Sequence, residues 1–159
     1  MTATFTGYGN GGNGVWVYDG EWKHVTDWIP NKLISWDSDT CIAGVFTYYG
    51  PEGNGIWSYD GTTWTHITEW VPVDIVPLSS NDLVGVFKDY GSGNGVWKYS
   101  SASSSWTHLT DWVPEAIIAS GDYIIGSFIN YGRNGSGIWK YQNGAWTKIT
   151  DWTPREPRP

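Results

Sequence analysis

Apolar positions alternate with period two inside short runs of this chain, and the runs themselves recur about every 41 residues. In Gly93-Asn94-Gly95-Val96-Trp97-Lys98-Tyr99 a glycine-rich turn leads into such a run, with Trp97 and Tyr99 on one side and Val96 and Lys98 on the other. Near-copies stand at Asn13 to Tyr18, Gly53 to Tyr59 and Gly135 to Tyr141. Asn-Gly ahead of a β-branched and aromatic run predicts a type I′ hairpin turn, since both residues tolerate positive φ. Phe5, Phe46, Phe87 and Phe128 lie 41 residues apart and give the repeat length directly.

Four strands per repeat follow from the pattern. The first is the apolar run after a proline (Leu33 to Trp36, Asp74 to Leu78, Ala116 to Ala119), and the second holds the phenylalanine (Ile42 to Tyr48, Leu83 to Lys88). The third is the aromatic run above, and the fourth is Trp64 to Trp70 and its equivalents, in which Trp106, His108, Thr110 and Trp112 share a side. Asp19-Gly20, Asp60-Gly61 and Asn143-Gly144 join the third to the fourth, replaced in the third repeat by Ser100 to Ser105. Four-stranded units of about 40 residues predict an all-β chain folded as a β-propeller. The expected repeats are 1–30, 31–72, 73–114 and 115–154, in a single domain followed by a disordered tail at 155–159. The first repeat lacks one strand, because the chain begins at the second-strand position, Thr2 to Phe5, and the two prolines of the tail unfit it for a ladder. Three readings account for this: a three-stranded first blade, a strand contributed by another chain, or a ring completed by two or more chains; since an open sheet edge is an aggregation hazard, homo-oligomerisation is the expectation.

Composition narrows the function classes. With 13 Trp, 10 Tyr and 21 Gly, the chain favours twisted strands and tight turns over helices. A formal charge of −7 opposes sequence-independent nucleic-acid binding, which needs a Lys/Arg surface, and opposes attraction to an acidic membrane surface. The sequence contains no apolar run of spanning length, so no membrane insertion is expected, and the single Cys41 excludes an internal disulfide.

The order of [Val/Ser]-Phe strand, glycine-rich turn, [Val/Ile]-Trp-x-Tyr and Trp-x-x-[Val/Ile/Leu]-Thr resembles the blade layout of bacterial Trp-rich β-propeller lectins. It is also similar to a shortened kelch repeat, although the kelch Gly-Gly doublet is missing and 41 residues is short for either pattern. The resemblance spans nearly the whole chain. It implies sugar sites between neighbouring blades or at the blade rim, lined by Trp, Tyr and small polar residues, and rings assembled from several short chains.

Sugar recognition needs an exposed aromatic face beside fixed donors and acceptors. Two columns supply candidates. Asp27-Trp28, Glu69-Trp70, Asp111-Trp112 and Asp151-Trp152 stand at strand ends beside prolines, the tryptophans placed for stacking and the acids for accepting from hydroxyls; Tyr8, Tyr49, Tyr90 and Tyr131 enter the longest loops. The competing reading makes the tryptophans packing residues and the acids solvated turn residues. His24, His66 and His108 share a column on the outer strand, too far apart to converge on a metal, and are expected at exposed positions. Clusters such as Asn10 to Asn13 and Asp37 to Asp39 lack EF-hand spacing. No cofactor is implied. No hydrolase, zincin or P-loop motif is present, and repeated polar positions favour several equivalent sites over one catalytic centre. The sequence thus points to a non-enzymatic lectin binding glycans multivalently, with a kelch-like interaction scaffold, using divergent positions such as Trp36, Ser100 to Ser105 and Arg133, as the alternative.

Overall fold

A computed structural model describes residues 1–9, 11–36 and 41–153. Asn10, Asp37 to Asp39 and the 155–159 tail therefore lie outside the described residues. Two compact units divide the chain at a repeat boundary, Met1–Pro72 and Val73–Pro159.

Every sheet is an antiparallel meander. In the first unit β1 (Thr2–Phe5), β2 (Gly14–Tyr18) and β3 (Trp22–Thr26) form a three-stranded sheet. A four-stranded one follows, of β4 (Lys32–Ser35), β5 (Ile42–Phe46), β6 (Gly55–Tyr59) and β7 (Trp64–Thr68). The second unit holds β8 (Asp74–Pro77), β9 (Leu83–Phe87), β10 (Gly95–Ser100) and β11 (Ser105–Thr110), then β12 (Ala116–Ser120), β13 (Tyr123–Phe128), β14 (Gly137–Gln142) and β15 (Ala145–Thr150). The three-stranded first sheet agrees with the pattern, as do the pairings of Trp97 with His108 and Tyr99 with Trp106; Thr110, expected on the side of His108, pairs instead with Val96, because the register shifts there. A register shift recurs at one place in all four sheets, at Val15/Trp16, Ile56/Trp57, Val96/Trp97 and Ile138/Trp139.

Two local expectations need correcting. The fourth strand stops at its threonine, two residues short of the tryptophan, because the hydroxyl Oγ1 of Thr26, Thr68, Thr110 and Thr150 accepts a hydrogen bond from the N–H of the tryptophan two residues on, at 3.1–3.2 Å. That turn carries the Asp/Glu-Trp pair off the sheet. The repeated Asn-Gly is also not a type I′ turn: Asn94 is extended (φ −62°, ψ 153°), and only Gly95 takes positive φ, at 118°. Its amide Oδ1 instead closes a longer loop by accepting from the N–H of Tyr90 at 2.7 Å, as Asn13 does for Tyr8 and Asn54 for Tyr49. The glycine is required by close approach, since a Cβ at Gly95 would lie 1.8 Å from the Thr110 carbonyl oxygen. The two-residue hairpin with paired positive φ is at Asn143 (54°) and Gly144 (81°), between the paired Gln142 and Ala145. At Asp60-Gly61 the Asp60 carboxylate accepts from the N–H groups of Thr63 and Thr62 and the Thr62 hydroxyl, which holds its pKa below the ordinary value.

Each unit has its own core where its two sheets meet. Val15, Val17 and Val25 cluster with Leu33, Ile42, Tyr59 and Trp64 in the first unit; in the second, Val76, Val84, Val96 and Leu109 cluster with Ile117, Ile124, Tyr141 and Trp146. The indole N–H of Trp64 donates to the Val25 carbonyl at 2.9 Å, and that of Trp146 to the Leu109 carbonyl at 3.1 Å, so the same hydrogen bond ties each pair of sheets.

Candidate functional site

The two candidate columns, read from the sequence as separate elements, meet at Trp28 with Tyr49 and at Trp112 with Tyr131, whereas Tyr8 and Trp152 stand exposed. After the turn at Thr26, Trp28 enters a slot on the second sheet and stacks on Tyr49 with ring centroids 4.4 Å apart and planes 11° from parallel. Phe46 and Trp57 present their edges to it at 6.0 and 6.1 Å. Gly53 forms the floor, where a Cβ would come within 2.9 Å of the indole. The Tyr49 hydroxyl accepts from the Ile29 N–H at 2.9 Å. The second unit repeats this assembly, with Trp112 on Tyr131 at 4.6 Å, Phe128 and Trp139 edge-on at 5.9 and 6.2 Å, Gly135 beneath and Val113 N–H bonded to the Tyr131 hydroxyl at 2.8 Å. One ring face of Trp28 and one of Trp112 is thereby occupied by protein. About a third of Trp28, Trp70 and Trp112 remains exposed, at 37%, 36% and 37%.

Beside each such tryptophan stands its carboxylate, well exposed at Asp27, Asp111 and Asp151, and Glu69 is exposed as well. Asp27 lies 3.4 Å from the His24 ring nitrogen, Asp111 3.5 Å from that of His108, and Asp151 pairs with Lys148. The histidines are not freely exposed strand positions. His24, His66 and His108 stack on Trp16, Trp57 and Trp97 at 4.2–4.5 Å, and their Nε2 atoms meet the carbonyls of Asn13, Asn54 and Asn94 at 2.7–2.9 Å. Since a carbonyl only accepts, Nε2 carries the proton. Lys148 does the same work in the fourth repeat, its ammonium 5.9 Å from the Trp139 ring centroid and donating to the carbonyls of Arg133 and Asn134. Among the described residues no group of three His, Cys, Asp or Glu gathers to hold a metal, and no helix is long and apolar enough to cross a membrane.

Three depressions accompany these columns. A shallow one of about 170 Å³ lies over Trp28 among Thr26, Phe46, Trp57 and Trp64. A second, about 400 Å³, is lined by Phe5, Tyr8, Gly12, Trp16 and Trp22. The third, about 700 Å³, lies within the second unit and is of mixed character, with Glu115, Ser127, Asn130, Ser136, Asp151 and Thr153 beside Ile129 and Gly132. Sequence reasoning singled out only Asp151 of that group. The available signal was divergence, since Glu115 and Ser136 replace the Asn31 and Asn54 of the second repeat. Trp36, named as a divergent scaffold position, is buried. Compared with known proteins, the chain matches no family model, no curated protein and no solved structure.

Proposed function

We propose that the four sheets are blades of a β-propeller and that the protein is a non-enzymatic glycan-binding module. The observation that carries this reading is the depression of about 700 Å³ in the second unit, of mixed polar and apolar lining, whose carboxylates, amide and hydroxyls suit a sugar's ring of hydroxyls and whose volume falls in the range of about 300–1,000 Å³ usual for small-molecule sites. Repetition supports it, because an exposed acid stands beside a tryptophan in every repeat, with about a third of that tryptophan open at Trp28, Trp70 and Trp112 and most of it at Trp152. Sites of this kind, open to solvent, bind weakly one at a time and gain from multivalency. The acids and the tryptophan edges are the contact residues in this reading. Tyr49 and Tyr131 act behind them, as platforms for Trp28 and Trp112.

The test is a glycan-array profile of the wild type and of a fourfold variant, Asp27→Asn, Glu69→Gln, Asp111→Asn and Asp151→Asn. Exposed acids are removed there without touching the aromatic slots, so the fold is retained. Selective binding by the wild type that falls at least tenfold in the variant supports the reading. A silent wild type overturns it, and binding unchanged in the variant removes the acids from the site.

A further inference from the structure

The 400 Å³ depression on the first sheet has the walls of a tryptophan slot and holds no tryptophan. Phe5, Tyr8, Gly12, Trp16 and Trp22 stand where Phe46, Tyr49, Gly53, Trp57 and Trp64 surround Trp28. Phe5 meets Tyr8 and Trp22 edge-on at 5.9 and 6.2 Å, as Phe46 meets Tyr49 and Trp64 at 6.2 and 6.0 Å. The slot is built, yet Tyr8 is 70% exposed. Tyr18 is 40% exposed where its equivalent Tyr59 is 4% exposed.

The fourth sheet shows the other half. Trp152, the counterpart of Trp28 and Trp112, is 83% exposed against their 37%. Ile118 and Ile149 are exposed, whereas their counterparts Val76 and Leu109 are packed into the core of the second unit. The carbonyl of Ile149 stands where those of Val25 and Leu109 accept an indole N–H, and Trp22 carries that indole. One terminal repeat presents a receptor and the other its plug.

We propose that Trp152 of one copy of this chain enters the Tyr8 slot of a second copy, so that the chain assembles head to tail. The joint continues an interface seen twice within the chain, at Trp28 on Tyr49 and at Trp112 on Tyr131. It carries the same bonds: Thr153 N–H to the Tyr8 hydroxyl, and the Trp22 indole N–H to the Ile149 carbonyl. Because the two surfaces differ, the contact is heterologous and propagates until a ring closes. Seated as Trp28 and Trp112 are, Trp152 keeps about a third of its surface open beside Asp151, so assembly does not compete with the glycan reading and does not depend on it.

The test is light scattering coupled to gel filtration on the full chain across micromolar concentrations, for the wild type, Trp152→Ala and Tyr8→Ala. Both residues are exposed in the single chain, so neither substitution undermines its fold; near-ultraviolet circular dichroism confirms that. The wild type is expected at a whole multiple of 17.8 kDa and each variant at 17.8 kDa. An equal mixture of the variants is expected to recover a two-chain species, joined where the intact Trp152 of one meets the intact Tyr8 slot of the other. A monomeric wild type, which includes closure by the chain's own Trp152, overturns the proposal. So does an oligomer that survives either substitution, or a mixture that stays at the mass of one chain. Mass is read without any sugar present, so failure here leaves the glycan reading standing, and the reverse.

Discussion

At Gly95 a single hydrogen atom in place of a side chain lets the end of β11 cross the start of β10. Thr110 offers its carbonyl where a Cβ would sit, 1.8 Å away, and the backbone is held at φ 118°, where side-chain-bearing residues are strained. Gly14 and Gly55 have the same contact with Thr26 and Thr68 at 1.8 Å. Backbone cannot swing aside as a flexible side chain does. Gly95→Ala is therefore expected to destabilise the protein by more than about 2 kcal/mol in urea unfolding. Gly20→Ala, at φ 96° with open space around the glycine, lacks the clash and serves as the comparison for the cost of positive φ. Equal losses at the two sites would show that the Thr110 contact does not matter. The sequence marked Asn94-Gly95 as a turn, but Asn94 closes a loop and Gly95 opens β10, for separate reasons that a dipeptide rule merges. One side chain closes a loop onto Tyr90; the other is missing to let a strand pass.

Strands were the legible part of the fold. Period-two alternation located the strands within a residue or two at most ends, because buried faces impose it wherever one sheet packs on the next. Where the fourth strand ended was not legible, since the Thr110 hydroxyl bond to the Trp112 N–H is a local competition that alternation does not report. The pairing of Trp112 with Tyr131 was hidden for another reason: it joins two repeats, and a column within one repeat says nothing of which neighbour it touches. That pairing separates packing from recognition. Trp112→Ala empties a slot made by Tyr131, Phe128 and Trp139, and for a side chain about two-thirds buried the expected loss is about 2–3 kcal/mol. Asp111→Asn, at an exposed position, is expected to cost under about 0.5 kcal/mol. Thermal unfolding of both variants decides: similar shifts would mean that the stack contributes no more than a surface acid. A fourfold tryptophan substitution would consequently report on folding before it reported on sugar, which is why the acids are the control for binding.

For the molecule as a whole, the repeat pattern showed that the first sheet has three strands where the others have four. The missing strand drew attention to a backbone edge, whereas the proposed joint rests on side chains: an aromatic slot on the first sheet and an exposed tryptophan after the fourth. Joining them buries Tyr8, Tyr18 and Trp22 of one copy against Ile118, Ile149 and Trp152 of the next, the kind of aromatic and aliphatic surface whose removal from water drives association. Stability then depends on concentration, because only the folded chain carries a formed slot and mass action favours whatever binds the folded state. The melting temperature of the wild type is expected to rise by on the order of 3 °C for each tenfold increase in protein, since tenfold corresponds to about 1.4 kcal/mol per joint and a chain of this size shifts by a few degrees per kcal/mol. Trp152→Ala is expected to melt at one temperature throughout the same dilution series, near that of the dilute wild type. A wild type whose melting temperature ignores concentration would mean that the exposed tryptophan and the open slot meet nothing in solution, and the surface at both ends would then have to be read as open to ligands.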